Sequence, residues 1–118
     1  MTDSGALAPL TLFEYDHAPG SFCLMLSDRD MVAATEVFEE HGYEGGGYSW
    51  AGVARSAVRA HAPEIAEHVA FDPEAGTFVA YGGDLAALRH LGALLHRAFH
   101  DRATLTDLIR SGDPAWFD

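Results

Sequence analysis

Seven histidines are the side chains of this sequence best suited to chemistry, because an imidazole can bind a metal or transfer a proton near neutral pH. His96 and His100 stand four residues apart, so one helical face would present both, as some zinc sites require. No cysteine or carboxylate stands at a characteristic spacing to complete a ligand set. A solvated, mildly basic helix edge shared with Arg89 explains the pair better, and we predict no metal site and no cofactor.

Candidate nucleophiles are also scarce. Cys23 is the only cysteine and lies within the apolar segment "FCLML" (22–26), where a buried thiol is unreactive. No Gly-x-Ser-x-Gly motif occurs, and no Ser-His-Asp arrangement follows from spacing. His41 precedes Gly42 at the end of a predicted helix, where a cationic side chain stabilises the helix terminus. We therefore predict that the protein is not an enzyme; an enzyme would require His41, His61 and His68 to converge on one cleft.

The segment "EGGGYSW" (44–50) contains three consecutive glycines. It separates two helical patterns, whereas phosphate-binding glycine loops follow a strand, and the chain has no lysine. Glu44 would also repel an anion. We predict a tight reversal with close backbone approach, followed by a helix that Ser49 caps. The aromatic residues Tyr48 and Trp50 belong either to the core or to an interface with a partner.

Eighteen acidic residues and seven basic residues give a net charge of −11. This charge argues against a nucleic-acid partner and favours a basic protein partner. Met31, Ala34, Val37 and Phe38 form one helical stripe, and three glutamates lie on the opposite face. The candidate partner-binding residues are Glu36, Glu39, Glu40, Glu44, Tyr48 and Trp50. The alternative for the three glutamates is a solvated helix face.

An internal duplication organises the chain. "YDHAPGSF" (15–22) matches "FDPEAGTF" (71–78) at an offset of 56 residues, and the same offset relates Asp28 to Asp84. Each aspartate suits the start of a helix. The sequence predicts two similar ββαα halves, at about 10–60 and 66–112, within one domain spanning 1–118. The fold class is α+β, with a mainly antiparallel sheet and packed helices.

Apolar periodicity places the helices of the second half. Leu88, Leu91 and Leu95 belong to the apolar stripe of a helix from about 84 to 100. A second helix over 104–112 has Thr104 as N-cap and Gly112 as C-cap, and its counterpart in the first half covers 49–58. The aromatic pair in the tail "GDPAWFD" (112–118) either docks onto the domain or binds a partner.

The segment "FCLML" is apolar on both faces, so the sheet is covered on both sides by helices or partly by another subunit. A dimer is therefore possible, and the oligomeric state stays open. No apolar run approaches the roughly 20 residues that span a bilayer. The N-terminal stretch lacks the features of a signal peptide, so we expect a cytoplasmic protein.

The segments "GYEGGGYSWAGVA" and "EIAEHVAFDPEAGTFVAYGGDLAALRHLGALL" resemble the immunity protein 51 family of bacterial polymorphic toxin systems. The resemblance covers roughly residues 10–110. It implies a small cytoplasmic antidote that binds a cognate toxin domain and neutralises it by stoichiometric occlusion. The alternative from another class is a regulatory module that binds a small molecule in a cleft between the two halves, near Tyr48 and Trp50.

Overall fold

A computed structural model describes residues 7–117, so the ends of the predicted domain, 1–6 and 118, lie outside the described residues. The described chain forms four strands and five α-helices, which confirms the α+β class. The strands are β1 Thr11–Glu14, β2 Phe22–Ser27, β3 Ala70–Phe71 and β4 Thr77–Gly82. The helices are α1 Asp28–Met31, α2 Thr35–Glu39, α3 Gly47–His61, α4 Leu85–His100 and α5 Arg102–Ser111. Short 3₁₀ segments occupy Val32–Ala34, Pro63–His68 and Pro114–Trp116.

The four strands form one antiparallel sheet in the order β1-β2-β4-β3. Leu24 pairs with Leu12 on one side and with Ala80 on the other, and all three side chains are buried. Because side chains alternate across a strand, these residues share one face of the sheet. This face packs against α3 and α4, whose apolar stripes are buried.

The opposite face of the sheet is only partly covered. Phe13, Met25 and Val79 are half-buried there, and Tyr81 is 41% exposed. The described helices cover one face of β2 and leave the other open, so helices of this chain do not cover "FCLML" on both sides. Whether another subunit covers the open face is not decided by a single chain. The half-buried side chains of this face are apolar, and Phe13 packs edge-on against Tyr15 with 5.7 Å between the ring centroids.

The centre of the core is α3, in which ten residues are buried. Gly52 faces the C-terminal tail, and a Cβ at this position would lie 2.6 Å from the ring of Phe117. Phe117 is fully buried and stacks on Tyr43 with 4.6 Å between the ring centroids. The tail therefore docks onto the domain, as the first of the two alternatives for its aromatic pair predicts.

Two helix starts differ from the prediction. Helix α3 begins at Gly47 with Gly46 as N-cap, and the Ser49 hydroxyl instead accepts the Gly45 N–H at 3.0 Å. Helix α5 begins before Thr104, because the Asp101 carboxylate accepts the N–H groups of Ala103 and Thr104. A short carboxylate placed directly before the helix satisfies these free amides better than a hydroxyl within it.

The other helix predictions agree with the structure. Asp84 is the N-cap of α4 and accepts the Ala87 N–H at 3.1 Å, and Gly112 is the C-cap of α5. The stripe that begins at Met31 is buried, although a 3₁₀ segment divides that part of the chain into α1 and α2. The relation of the two halves by duplication stays a prediction.

Candidate partner-binding surface

The glycine run "GGG" (45–47) lies where three parts of the chain meet. Gly45 has φ +85°, and a Cβ there would stand 3.2 Å from the Cα of Thr35. The Gly47 N–H donates to the Ala75 carbonyl at 3.0 Å, in the turn between β3 and β4. A Cβ on Gly47 would lie less than 3.0 Å from the carbonyl oxygens of Glu74 and Thr77. The predicted close backbone approach is therefore confirmed, and only glycine fits at these contacts.

These contacts bring acidic residues from separate segments together. Since Gly45 touches the backbone of Thr35, their chain neighbours Glu44 and Glu36 lie on adjoining segments. The contact of Gly47 with the β3–β4 turn places Tyr48 beside the segment that carries Glu74. The Asp28 N–H donates to the Gly76 carbonyl of the same turn at 2.9 Å. We call the exposed residues on these segments the acidic surface; they are Asp28, Val32, Glu36, Glu39, Glu40, Glu44, Tyr48 and Glu74.

The acidic surface also carries exposed apolar side chains. Val32 is 72% exposed and Tyr48 is 47% exposed, and besides Tyr81 they are the exposed large hydrophobic residues of the described chain. Tyrosine is one of the residue types enriched among interface anchors, whereas valine is not. Tyr48 thus lies on the surface, which excludes the core alternative for this residue, and its place in an interface stays a prediction.

An arginine neutralises part of the acidic surface. Arg102, at the start of α5, lies 2.5 Å from the Glu40 carboxylate and 3.5 Å from the Glu36 carboxylate. This bridge joins α5 to α2. Within residues 7–117, Glu39 and Glu44 are exposed and form no ion pair, so their charges face solvent directly.

Trp50 occupies a different environment from the other candidate residues. It is fully buried and packs against Phe38 and Phe99, with centroid distances of 5.4 Å and 6.0 Å. Its indole N–H has no hydrogen-bond acceptor among the described residues. Trp50 is a core residue, so the acidic surface holds Glu36, Glu39, Glu40, Glu44 and Tyr48 but not Trp50.

The histidines on which an enzyme would depend lie apart. His41 donates from Nδ1 to the Val37 carbonyl at 3.0 Å, which is the predicted role at the helix C-terminus. His61 lines a cleft between α3, α4 and α5, whereas His68 lies 3.9 Å from Asp84 at the edge of the sheet. The convergence that an enzyme would require is therefore not observed for these three side chains.

His96 and His100 share a single acceptor. Their ring nitrogens lie 2.8 Å and 2.9 Å from the carbonyl oxygen of Ala8, and because a carbonyl only accepts, each ring donates an N–H. The pair thus holds the segment before β1 against α4. Over residues 7–117, no three His, Cys, Asp or Glu side chains are grouped to hold a metal ion.

Cys23 and Tyr15 form a coupled pair on the open face of the sheet. The hydrogen bond to Cys23 and partial burial raise the pKa of Tyr15 to about 12. Burial raises the pKa of the Cys23 thiol as well, and the hydrogen bond from Tyr15 opposes this effect. Cys23 is 2% exposed, so the thiol is both protonated and shielded at neutral pH.

A concave apolar cleft lies between segments of the two predicted halves, as the small-molecule alternative expects, but away from the predicted position near Tyr48 and Trp50. A groove of about 330 Å³ lies between α3 and β3, and its floor includes Val58 and Phe71. Neither Tyr48 nor Trp50 lines this groove.

In the described part of the chain, no helix has the length and apolar character needed to cross a membrane.

Comparison with known proteins identifies the family. The model of the family described as immunity protein 51 matches residues 10–114, which is most of the chain. No curated protein and no solved structure gives a significant match. The chain therefore belongs to the immunity protein 51 family.

Proposed function

We propose that this protein binds a cognate bacterial toxin domain in the cytoplasm and neutralises it by stoichiometric occlusion. The observation that carries the proposal is the family match over residues 10–114. An immunity protein protects by occupying its target, so it needs a surface of complementary shape and charge rather than a catalytic centre.

The acidic surface supplies such complementarity. Glu36, Glu39, Glu40 and Glu44 are exposed on the same group of contacting segments that carries the exposed apolar side chains of Tyr48 and Val32. Charged rims accelerate encounter with an oppositely charged partner, and a desolvated aromatic or aliphatic centre supplies much of the affinity. This arrangement fits a toxin domain whose contact surface is basic around an apolar recess.

The packing beneath this surface also supports the proposal. The glycine run holds α2, α3 and the β3–β4 turn together through backbone contacts, so the carboxylates stand on a preformed frame. A preformed surface loses less conformational entropy on binding than one that must order its loops.

Titration of the purified toxin domain with this protein tests the proposed function. The candidate toxin is the toxin-like C-terminal domain encoded by the neighbouring gene, and its activity is measured as this protein is added. We expect inhibition to be complete near one equivalent, with a stable complex on gel filtration. Inhibition at far below one equivalent would mean that the protein modifies the toxin catalytically, and unchanged activity at an excess would contradict the proposal for this pair.

A further inference from the structure

The groove between α3 and β3 has a chemical character unlike the rest of this acidic molecule. Its apolar lining comes from α3, from the stretch 63–71 that runs from the second 3₁₀ segment into β3, and from the tail. These residues are Val58, Pro63, Ala66, Val69, Phe71 and Trp116. Its volume of about 330 Å³ is near the lower end of the range for small-molecule sites.

Two arginines on successive turns of α3 stand at this groove. The guanidinium of Arg55 lies 5.2 Å from the centroid of the Phe71 ring, and that of Arg59 lies 4.6 Å from the Trp116 ring. Arg59 also donates to the Ser111 carbonyl oxygen. The aromatic rings thus hold both guanidinium groups over the apolar lining.

Neither arginine has a carboxylate partner within residues 7–117. Arg102, by contrast, is bridged by two glutamates. In a chain with eighteen acidic and seven basic side chains, two neighbouring arginines without an acidic partner are unexpected. Stacking on a ring satisfies one face of a guanidinium and leaves the N–H donors at its edge for an anion.

We propose that this groove binds a small amphipathic carboxylate, with its apolar part against Val69, Phe71 and Trp116 and its carboxylate held by Arg55 and Arg59. Charge complementarity selects the anion, because the guanidinium donors match the two oxygens of a carboxylate. The apolar lining selects against small hydrophilic anions such as acetate. The site is separate from the acidic surface, so its failure would leave the proposed function untouched.

Binding of octanoate to the full chain tests this proposal. Octanoate is added to the ¹⁵N-labelled protein, and octylammonium, which has the same chain length and the opposite charge, is added to a second sample. We expect octanoate to shift the backbone amides of Ala66, Val69 and Phe71 and the Trp116 indole, while octylammonium leaves them in place. Equal shifts with both probes, or no shift with octanoate at millimolar concentration, would overturn the proposal.

Variants then distinguish the contribution of Arg55 and Arg59 to octanoate binding from the effect of net charge. The double variant Arg55→Gln/Arg59→Gln should weaken octanoate binding by about tenfold or more. Arg29→Gln removes an exposed arginine on α1, outside the groove, and should leave the affinity unchanged. An unchanged affinity in the double variant would also overturn the proposal. If that variant fails to fold, Arg55→Gln alone and the comparison of the two probes on the unaltered protein still decide the question.

Discussion

At the scale of single residues, glycines determine which segments can touch. Gly47 is the first residue of α3, and a Cβ at this position would collide with the carbonyl oxygens of Glu74 and Thr77. Gly42 differs, because it has φ +86° and open space around it. Gly47 is thus required for close packing, and Gly42 is required for its left-handed backbone conformation.

The variants Gly47→Ala and Gly42→Ala separate these two requirements. We expect Gly47→Ala to lower the free energy of unfolding by about 3 kcal/mol or more, since the methyl group forces the β3–β4 turn away from α3. Gly42→Ala should cost about 1–2 kcal/mol, the strain of a left-handed conformation. Denaturant unfolding of both variants measures the difference, and equal losses would contradict the account of the glycine run.

The pairing of Tyr15 with Cys23 predicts an alkaline titration. The pKa of Tyr15 is raised to about 12, so the folded state holds its proton more tightly than the unfolded state, in which the pKa is near 10. The resulting stability is fully present below pH 10 and is lost as pH rises from about 10 to about 12. Ultraviolet titration of tyrosinate should show one late-titrating tyrosine that is absent from Tyr15→Phe. If that variant keeps the late phase, another residue is responsible.

At the scale of elements, α3 connects the core, the acidic surface and the groove. Trp50 fills the core and Tyr48 lies on the surface, while Arg55 and Arg59 stand at the groove. Gly52 lets the tail approach this helix, so the tail is part of the packing of α3.

The docked tail predicts a contrast between two aromatic residues. Phe117→Ala should lower the free energy of unfolding by about 3–5 kcal/mol, because it leaves a cavity between Tyr43 and Gly52 of α3. Tyr48→Ala should cost less than about 1 kcal/mol, since that ring is 47% exposed. Thermal unfolding compares the two. A small loss for Phe117→Ala would mean that the tail contributes little to the core.

Periodicity and turn chemistry predict most of the elements. The stripe of α4, the Asp84 cap and the antiparallel strands follow from local sequence patterns. The burial of Trp50 and the exposure of Tyr48 do not, because two aromatics two residues apart on a helix differ only in what the rest of the fold places against them. The pairing of Arg102 with Glu36 and Glu40, and the groove at Arg55, also depend on segments distant in the chain.

At the scale of the whole molecule, net charge and its distribution determine how a partner approaches. The net charge is −11, and Glu39 and Glu44, which form no ion pair within residues 7–117, are exposed on the acidic surface. The acidic surface and the groove at Arg55 share no residue, so the proposed basic partner and the proposed small anion would bind at separate regions.

Charge reversal tests whether the acidic surface guides association. Glu39→Lys/Glu44→Lys should slow association with the toxin domain by about tenfold at low salt and reduce the salt dependence of the rate. The matched control is Glu67→Lys/Asp107→Lys, which changes two exposed carboxylates outside this surface and gives the same net charge. Stopped-flow kinetics compare the two variants. Equal rates would show that overall charge, and not this surface, controls the encounter.

The central claim is that this chain is the antidote to a toxin domain, and co-expression tests it most directly. The candidate toxin domain, the toxin-like C-terminal domain encoded by the neighbouring gene, is expressed with and without this protein, and cell survival and co-purification are scored. Survival of the co-expressing cells together with a co-purified complex is the predicted result. A toxic domain that is neither rescued nor bound by this protein would contradict the claim for this pair.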